Sequence, residues 1–274
     1  MDHNVYLPRL GKIIAIKDEV GGARAIKTFR VALLDGQPLA YRCGQCAMVS
    51  VFGKGESMIS ISSSPLVKDY LQFTVMKMGR VTSAMHEMEV GGILGVRGPY
   101  GNGFPVEDWK GKNLVFAGGG VGLPPIWSVL QTALLQKKEY GKLTLFYGAR
   151  TSGDLAYREE LQELAGNITI HLSIDVAEPD WREFVGFVAA NISDKKPSPE
   201  NAIAITCGPP IMIKTVIKAL GQLGFKDDQI YTTVENKMKC GIGKCGRCNV
   251  GRHYMCKDGP VYSWAELKLL PQEY

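Results

Sequence analysis

Cys240, Cys245, Cys248 and Cys256 fall within seventeen positions near the C-terminus of a 274-residue chain, spaced C-x4-C-x2-C-x7-C. Thiols gathered so closely suit a metal centre, and C-x4-C-x2-C with one more cysteine downstream is the spacing of plant-type [2Fe–2S] centres. A structural zinc site more usually shows two C-x2-C pairs separated by a longer insertion, and this segment holds one such pair; zinc stays as the alternative. Gly241, Gly243 and Gly246 let successive N–H groups turn inward toward sulfur, while Lys239, Lys244 and Arg247 add a positive field around what would be an anionic cluster. From Asn236 to Lys257 there are six Lys or Arg and no acid. Such a run suits nucleic acid, an acidic protein, or an anion held inside the patch itself.

A second chemical signal is VFAGGGVGLPP, residues 115 to 125. An apolar strand turns through Gly118, Gly119, Gly120 and Gly122 into a helix opened by Pro124 and Pro125. Glycines admit a diphosphate close to the backbone, and the helix start offers free N–H donors; a purely structural tight turn is the alternative. FYGAR (Tyr147, Gly148 and Arg150 within it) and CGPP (Cys207, Gly208, Pro209) end two further strands, where ligands of open α/β sheets collect. Gly119, Gly120 and Gly122 are expected to cradle dinucleotide phosphates, with Arg150 assisting. Cys43 and Cys46 form another C-x2-C at the start of a strand; the expectation is two partly buried thiols facing the same way, against a metal or redox pair. His3, His86, His171 and His253 have no spacing that suggests an acid–base triad.

These residues need a scaffold. KIIAIKDEV, AIKTFRVAL, CAMVSVF, SMISIS and LQFTVMK read as short strands of an antiparallel barrel or sandwich, with a helical turn or two over 81–88. From about Gly111, strands alternate with helices, which implies a parallel sheet covered on both faces; DKKPSPEN, 194–201, reads as a polar loop inside it. The fold class is thus an antiparallel β-barrel followed by a parallel α/β domain and a small cysteine-bearing segment, divided as 1–105, 106–235 and 236–274. Net charge is +5 with 45% hydrophobic residues, and no apolar run approaches the eighteen or so residues that span a bilayer. MDHNVYLPRL lacks the charged and apolar regions of an export signal, so the expected location is the cytoplasm.

Taken in order, SMISISSSP, GRVTSAMHEM, VRGPYGNGF, AGGGVGLPP, FYGAR, CGPP and ENKMKCGIGKCGRC resemble the ferredoxin–NADP reductase superfamily over nearly the whole chain. More closely, they resemble the iron–sulfur electron-transfer subunits of dihydroorotate dehydrogenases, sulfhydrogenases (the gamma type) and anaerobic sulfite reductases. The resemblance implies an FAD-binding barrel, an NAD(P)-binding domain and a [2Fe–2S] tail. It places the flavin along Ile59, Ser60, Ile61 and Ser62. The family arginine that grips the pyrophosphate and the tyrosine that flanks the flavin are replaced here by Ser57 and Ile59, which leaves FMN open beside FAD. Pyrophosphate anchoring then falls to Gly79, Val81, Thr82 and Ser83 at a helix start. The same resemblance sets Ser60 at flavin N5 and has Cys207 and Glu235 border the nicotinamide pocket as the catalytic residues.

The implied activity carries electrons between NAD(H) or NADP(H), flavin and cluster, to or from a partner: a hydrogenase, a sulfite reductase, a heterodisulfide-reductase-like complex or a ferredoxin. A hetero-oligomeric complex without nucleic acid or membrane span is expected. Two rivals differ in class or partnership: a zinc-tailed protein that senses NAD(P), and a stand-alone NAD(P)H:ferredoxin-type reductase.

Overall fold

The computed structural model describes residues 4–271. Alternating β-branched and aromatic residues in the first hundred positions form six antiparallel strands: β1 (Arg9–Val20), β2 (Ile26–Leu33), β3 (Cys46–Val51), β4 (Gly55–Ser60), β5 (Leu71–Met76) and β6 (Ile93–Tyr100). Their order is β4-β3-β6-β1-β2-β5. The outermost two are joined just past β4, where the Ser62 N–H donates to Gln72 O at 2.8 Å and the Gln72 N–H to Ser63 Oγ at 3.0 Å. The sheet therefore curls into a barrel whose inward residues, Ile13, Phe29, Val49, Phe73 and Val96, share one core with Met85 of α1 (Arg80–His86).

Beyond the barrel lie β7 (Asn113–Gly119), α2 (Leu123–Leu135), β8 (Leu143–Ala149), α3 (Arg158–Leu164), β9 (Thr169–Ile174), β10 (Phe184–Val185), α4 (Val188–Lys195), β11 (Ala202–Cys207), α5 (Pro210–Gln222) and β12 (Ile230–Thr233). The strands are parallel in the order β10-β9-β8-β7-β11-β12. Covering on both faces explains why β7, β8 and β11 are nearly unbroken apolar runs. Leu114 and Phe116 pack toward Trp127 and Leu130 of α2, whereas Val115 and Ala117 pack toward α4 and α5. Phe116 is fully buried, so its truncation to Ala would cost about 3–5 kcal/mol.

The loop expected over 194–201 begins two residues later than its sequence suggests, because α4 continues through Lys195. Val188 and Ile192, four apart, bury one face of that helix, and the polar residues belong to its outer turn.

The cysteine segment adds a hairpin, β13 (Asn249–Val250) and β14 (His253–Tyr254), then β15 (Val261–Ser263) and α6 (Trp264–Leu267). β15 pairs antiparallel with β12, so the segment is stitched to the edge of the parallel sheet. Cores are continuous elsewhere too: Val20, Cys43 and Phe104 of the barrel side merge with Trp109 and Trp127. Among the described residues no helix is long and apolar enough to cross a membrane.

Candidate redox site

Cys240 is half-buried and Cys245 exposed, whereas Cys248 and Cys256 are buried among Val250, Met255 and Tyr262. Gly241, Gly243 and Gly246 all take the left-handed conformation, with φ of 77, 70 and 70°, which curls the loop so that its amides face sulfur. Cys240 Sγ accepts from the N–H groups of Ile242, Lys244 and Cys245 at 3.5, 3.3 and 3.4 Å, and Cys256 Sγ accepts from Gly243 at 3.3 Å. Cys240 interacts electrostatically with Cys245, and Cys256 with both Cys248 and Cys240. Burial raises the Cys240 thiol, but the amides of Cys245, Ile242 and Lys244 and the Cys245 side chain outweigh it and hold its pKa at about 6. Burial pushes Cys256 the other way, to about 12, with Cys248 adding to the rise.

β6 holds this loop. Arg97, only 5% exposed, donates to the Cys240 carbonyl at 2.8 Å and to the Tyr100 hydroxyl at 2.7 Å, and pairs with Glu56 at 2.7 Å. The Tyr100 ring covers Gly241 so closely that a Cβ there would lie 2.7 Å from it. Gly101 N–H donates to Cys256 O at 2.9 Å, and Asn102 exchanges two hydrogen bonds with Val261 at 2.7 and 2.9 Å. VRGPYGNGF thus docks the cysteine segment on the barrel. The motif was visible in the sequence; its partners, about 140 to 160 residues away, were not.

Beside the loop opens a cavity of about 510 Å³ lined by Cys46, Met58 and Ser60 of the barrel, Pro125 of α2, and the chain from Thr233 to Met238. Its volume falls in the roughly 300–1,000 Å³ range of small-molecule and cofactor sites. Two predicted catalytic residues, Ser60 and Glu235, share its wall; the third, Cys207, is buried behind it with its thiol 2.8 Å from Thr233 Oγ1. Of the remaining flavin positions, Ile61 and Ser62 are buried and Ile59 is partly so.

CGQC does not place two thiols side by side. Cys43 points into the seam with α2, 3.2 Å from Thr132 Oγ1, whereas Cys46 stands in register between Ser60 of β4 and Tyr100 of β6, with its sulfur 3.7 Å from Ser60 Oγ. The turn at Gly44, φ 87°, sends them in opposite directions. Burial pushes both thiols up to about 11 and Cys207 to about 12.

At the carboxyl end of the parallel strands the four predicted glycines divide their work. A Cβ on Gly122 would meet Cys207 O and Gly208 Cα at 2.4 Å, so this glycine lets α2 pack against the turn after β11. Gly119 is closed off by Met212 and Gly118 by Leu123. Gly120, φ 52°, faces open space. Tyr147 is fully buried and holds that turn from behind: its hydroxyl donates to Gly120 O at 3.2 Å and accepts from Ala156 N–H at 3.0 Å. Gly148 is packed against Val188 and Ser173, Gly208 against Met212, and Pro209 caps α5. Arg150 is exposed, in electrostatic reach of Asp175 at the end of β9.

The predicted anion turn at α1 is also partly occupied. Gly79 N–H is spent on Thr82 Oγ1 at 2.9 Å, and Ser83 N–H on Gly79 O at 2.8 Å, which leaves the first-turn amides of Arg80, Val81 and Thr82. Arg80 escaped the sequence reading although it lies inside GRVTS; its Nε donates to Lys54 O at 2.8 Å, which fixes a guanidinium beside the turn.

Residues 116–218 match the oxidoreductase NAD-binding domain family, and residues 235–268 match the iron–sulfur cluster binding domain of dihydroorotate dehydrogenase B. The chain is 38% identical to the sulfhydrogenase 1 gamma subunit of Pyrococcus furiosus, over 84% of this chain and 82% of that protein. It is 36% identical to the sulfhydrogenase 2 gamma subunit of the same organism, over 95% and 96%. It belongs to the family of sulfhydrogenase gamma and dihydroorotate dehydrogenase B electron-transfer subunits. As a member it is an NAD(P)H-dependent oxidoreductase subunit with an iron–sulfur domain. Its fold is that of an NADH-dependent reduced ferredoxin–NADP oxidoreductase, with TM-score 0.74 at 22% identity over 96% of this chain and 93% of that one.

Proposed function

We propose that the chain passes electrons between NAD(P)H, FAD and a [2Fe–2S] cluster, to or from a redox partner subunit of a hetero-oligomeric complex. The carrying observation is continuity: the cavity wall that holds Ser60 and Glu235 runs on through Met238 to Cys240 two residues later. Bound flavin supplies the conversion that nicotinamide and cluster lack between them, because it takes two electrons together and gives them up singly.

The residues present fit both groups. Four thiols at C-x4-C-x2-C-x7-C spacing, with loop amides aimed at the Cys240 and Cys256 sulfurs, suit a [2Fe–2S] cluster. Ser60 and Glu235 both line the cavity, where the hydroxyl of one and the carboxylate of the other would orient the reacting rings. Cys207 acts one layer behind, by setting Thr233. The α1 amides of Val81 and Thr82, with Arg80 in place of the missing family arginine, would anchor the flavin pyrophosphate. Gly120 and Arg150 would receive the dinucleotide phosphates while Gly119 and Gly122 keep the turn tight. Partners fitting this reading are a hydrogenase, a sulfite reductase, a heterodisulfide-reductase-like complex or a ferredoxin, in the cytoplasm.

Anaerobic purification tests the reading. Flavin absorption with about two irons and two sulfides per chain is expected, and Cys248→Ser should lose the iron and keep the flavin. A colourless, zinc-containing chain would overturn it.

A further inference from the structure

We infer that the exposed corner of the cysteine loop is a docking surface for an acidic redox protein, an inference that rests on the electron-transfer reading above. Only two of the four thiols reach solvent: Cys245 is exposed and Cys240 half-buried, while Cys248 and Cys256 are enclosed. An outgoing electron has its shortest way to another protein through that corner. The segment that forms it carries Lys239, Lys244, Arg247, Arg252 and Lys257, every one exposed. None of the five lies within ion-pair distance of a carboxylate among the described residues, although cations elsewhere, such as Lys17 and Lys110, are paired.

Of the nearby acids Glu56 is paired with Arg97, whereas Asp258, which accepts from the Tyr254 N–H at 2.7 Å, and the exposed Glu235 keep their charge and are outnumbered by the cations. Four thiolates, two ferric ions and two sulfides carry a net negative charge smaller than that of five cations, so the collar stays positive toward solvent after the cluster is in place. Unpaired exposed cations keep their field for an incoming partner, steering it and fixing its orientation against the electron exit. Nucleic acid fits this corner less well, because Tyr254 and His253, the aromatic residues beside it, are both half-buried instead of standing out as stacking platforms.

The test uses the purified holoprotein under anaerobic conditions with three probes. Electron transfer is followed from a dithionite-reduced acidic plant-type ferredoxin to NAD+, and from NADH to basic cytochrome c and to a small neutral dye, at ionic strengths from about 0.02 to about 0.5 M. The ferredoxin rate constant should fall about tenfold or more across that range, and the cytochrome c rate should stay level or rise. Lys244→Glu/Arg247→Glu/Arg252→Glu should weaken ferredoxin binding, read by titration calorimetry, about tenfold and remove most of the salt dependence while dye reduction continues. A salt-independent ferredoxin rate, preference for cytochrome c, or tighter binding of a DNA oligonucleotide than of ferredoxin overturns the proposal, and none of these needs the variant to fold. Failure of the electron-transfer reading looks different: the wild type would then show no cluster signal after dithionite.

Discussion

Single residues decide how the cysteine loop is held. Arg97 joins three groups that the chain brings from far apart: Glu56, Tyr100 and the Cys240 carbonyl. Replacing it with Met leaves the carbonyl without its donor and the half-exposed Glu56 without its partner, at a cost of about 1–3 kcal/mol. Thermal unfolding and iron content should both fall for Arg97→Met; unchanged values would show that the contact is dispensable. Thiol chemistry gives a second handle. The reactive species is the charged thiolate, which burial disfavours, so a pKa of about 11 at Cys43 and Cys46 leaves only about one thiol in a thousand ionised at pH 8. Alkylation of both should therefore be slow at pH 8 in the folded chain and accelerate as pH rises toward 11, read by mass spectrometry. Rapid labelling of Cys46 at pH 8 would contradict its burial between Ser60 and Tyr100.

Elements turn local signals into positions, and this is where sequence reading divides into what was legible and what was not. The β-strands, the glycine turn, α2 and the cysteine spacing are local patterns, so they could be read directly. The separate jobs of the glycines could not, because they depend on which chain lies behind each one. Gly122→Ala forces a Cβ against two backbone segments and should destabilise the fold by about 1–3 kcal/mol or more. Gly120→Ala meets no neighbour and carries only the strain of its left-handed φ of 52°, about 1–2 kcal/mol, so it should lower the melting temperature by only a few degrees while raising the KM for the nicotinamide cofactor. Equal loss of stability in both variants would refute the division. The docking of β6 and the addition of β15 to the parallel sheet were equally hidden, being contacts between residues far apart in sequence. So was the proximity of Asp175 to Arg150. A carboxylate already competing for that guanidinium disfavours a 2′-phosphate, so NADH should exceed NADPH in kcat/KM by about tenfold, with the gap narrowing in Asp175→Asn. Preference for NADPH in the wild type would reverse this assignment.

At the scale of the whole molecule, barrel, parallel sheet and cysteine segment adjoin one another. The glycine turn and Arg150 lie at the carboxyl end of the parallel sheet, the cavity lies where barrel, sheet and cysteine segment meet, and the loop with its exposed corner lies beyond. Each junction is tied by named contacts: Tyr157 stacks on Trp127 with ring centroids 4.3 Å apart and meets Thr74 at 2.6 Å, and Arg97 and Asn102 fasten the loop. The resemblance to reductases was legible because its motifs follow one another in order. The direction of flow and the partner were not, since the first depends on the reduction potentials of donor and acceptor and the second on a surface that meets another protein. The most direct measurement is electron paramagnetic resonance of the anaerobic holoprotein after addition of NADH alone. The account predicts a low-temperature signal of one unpaired electron for about every two irons, appearing as the flavin absorption bleaches. Bleaching without that signal, or no signal even after dithionite, would contradict it.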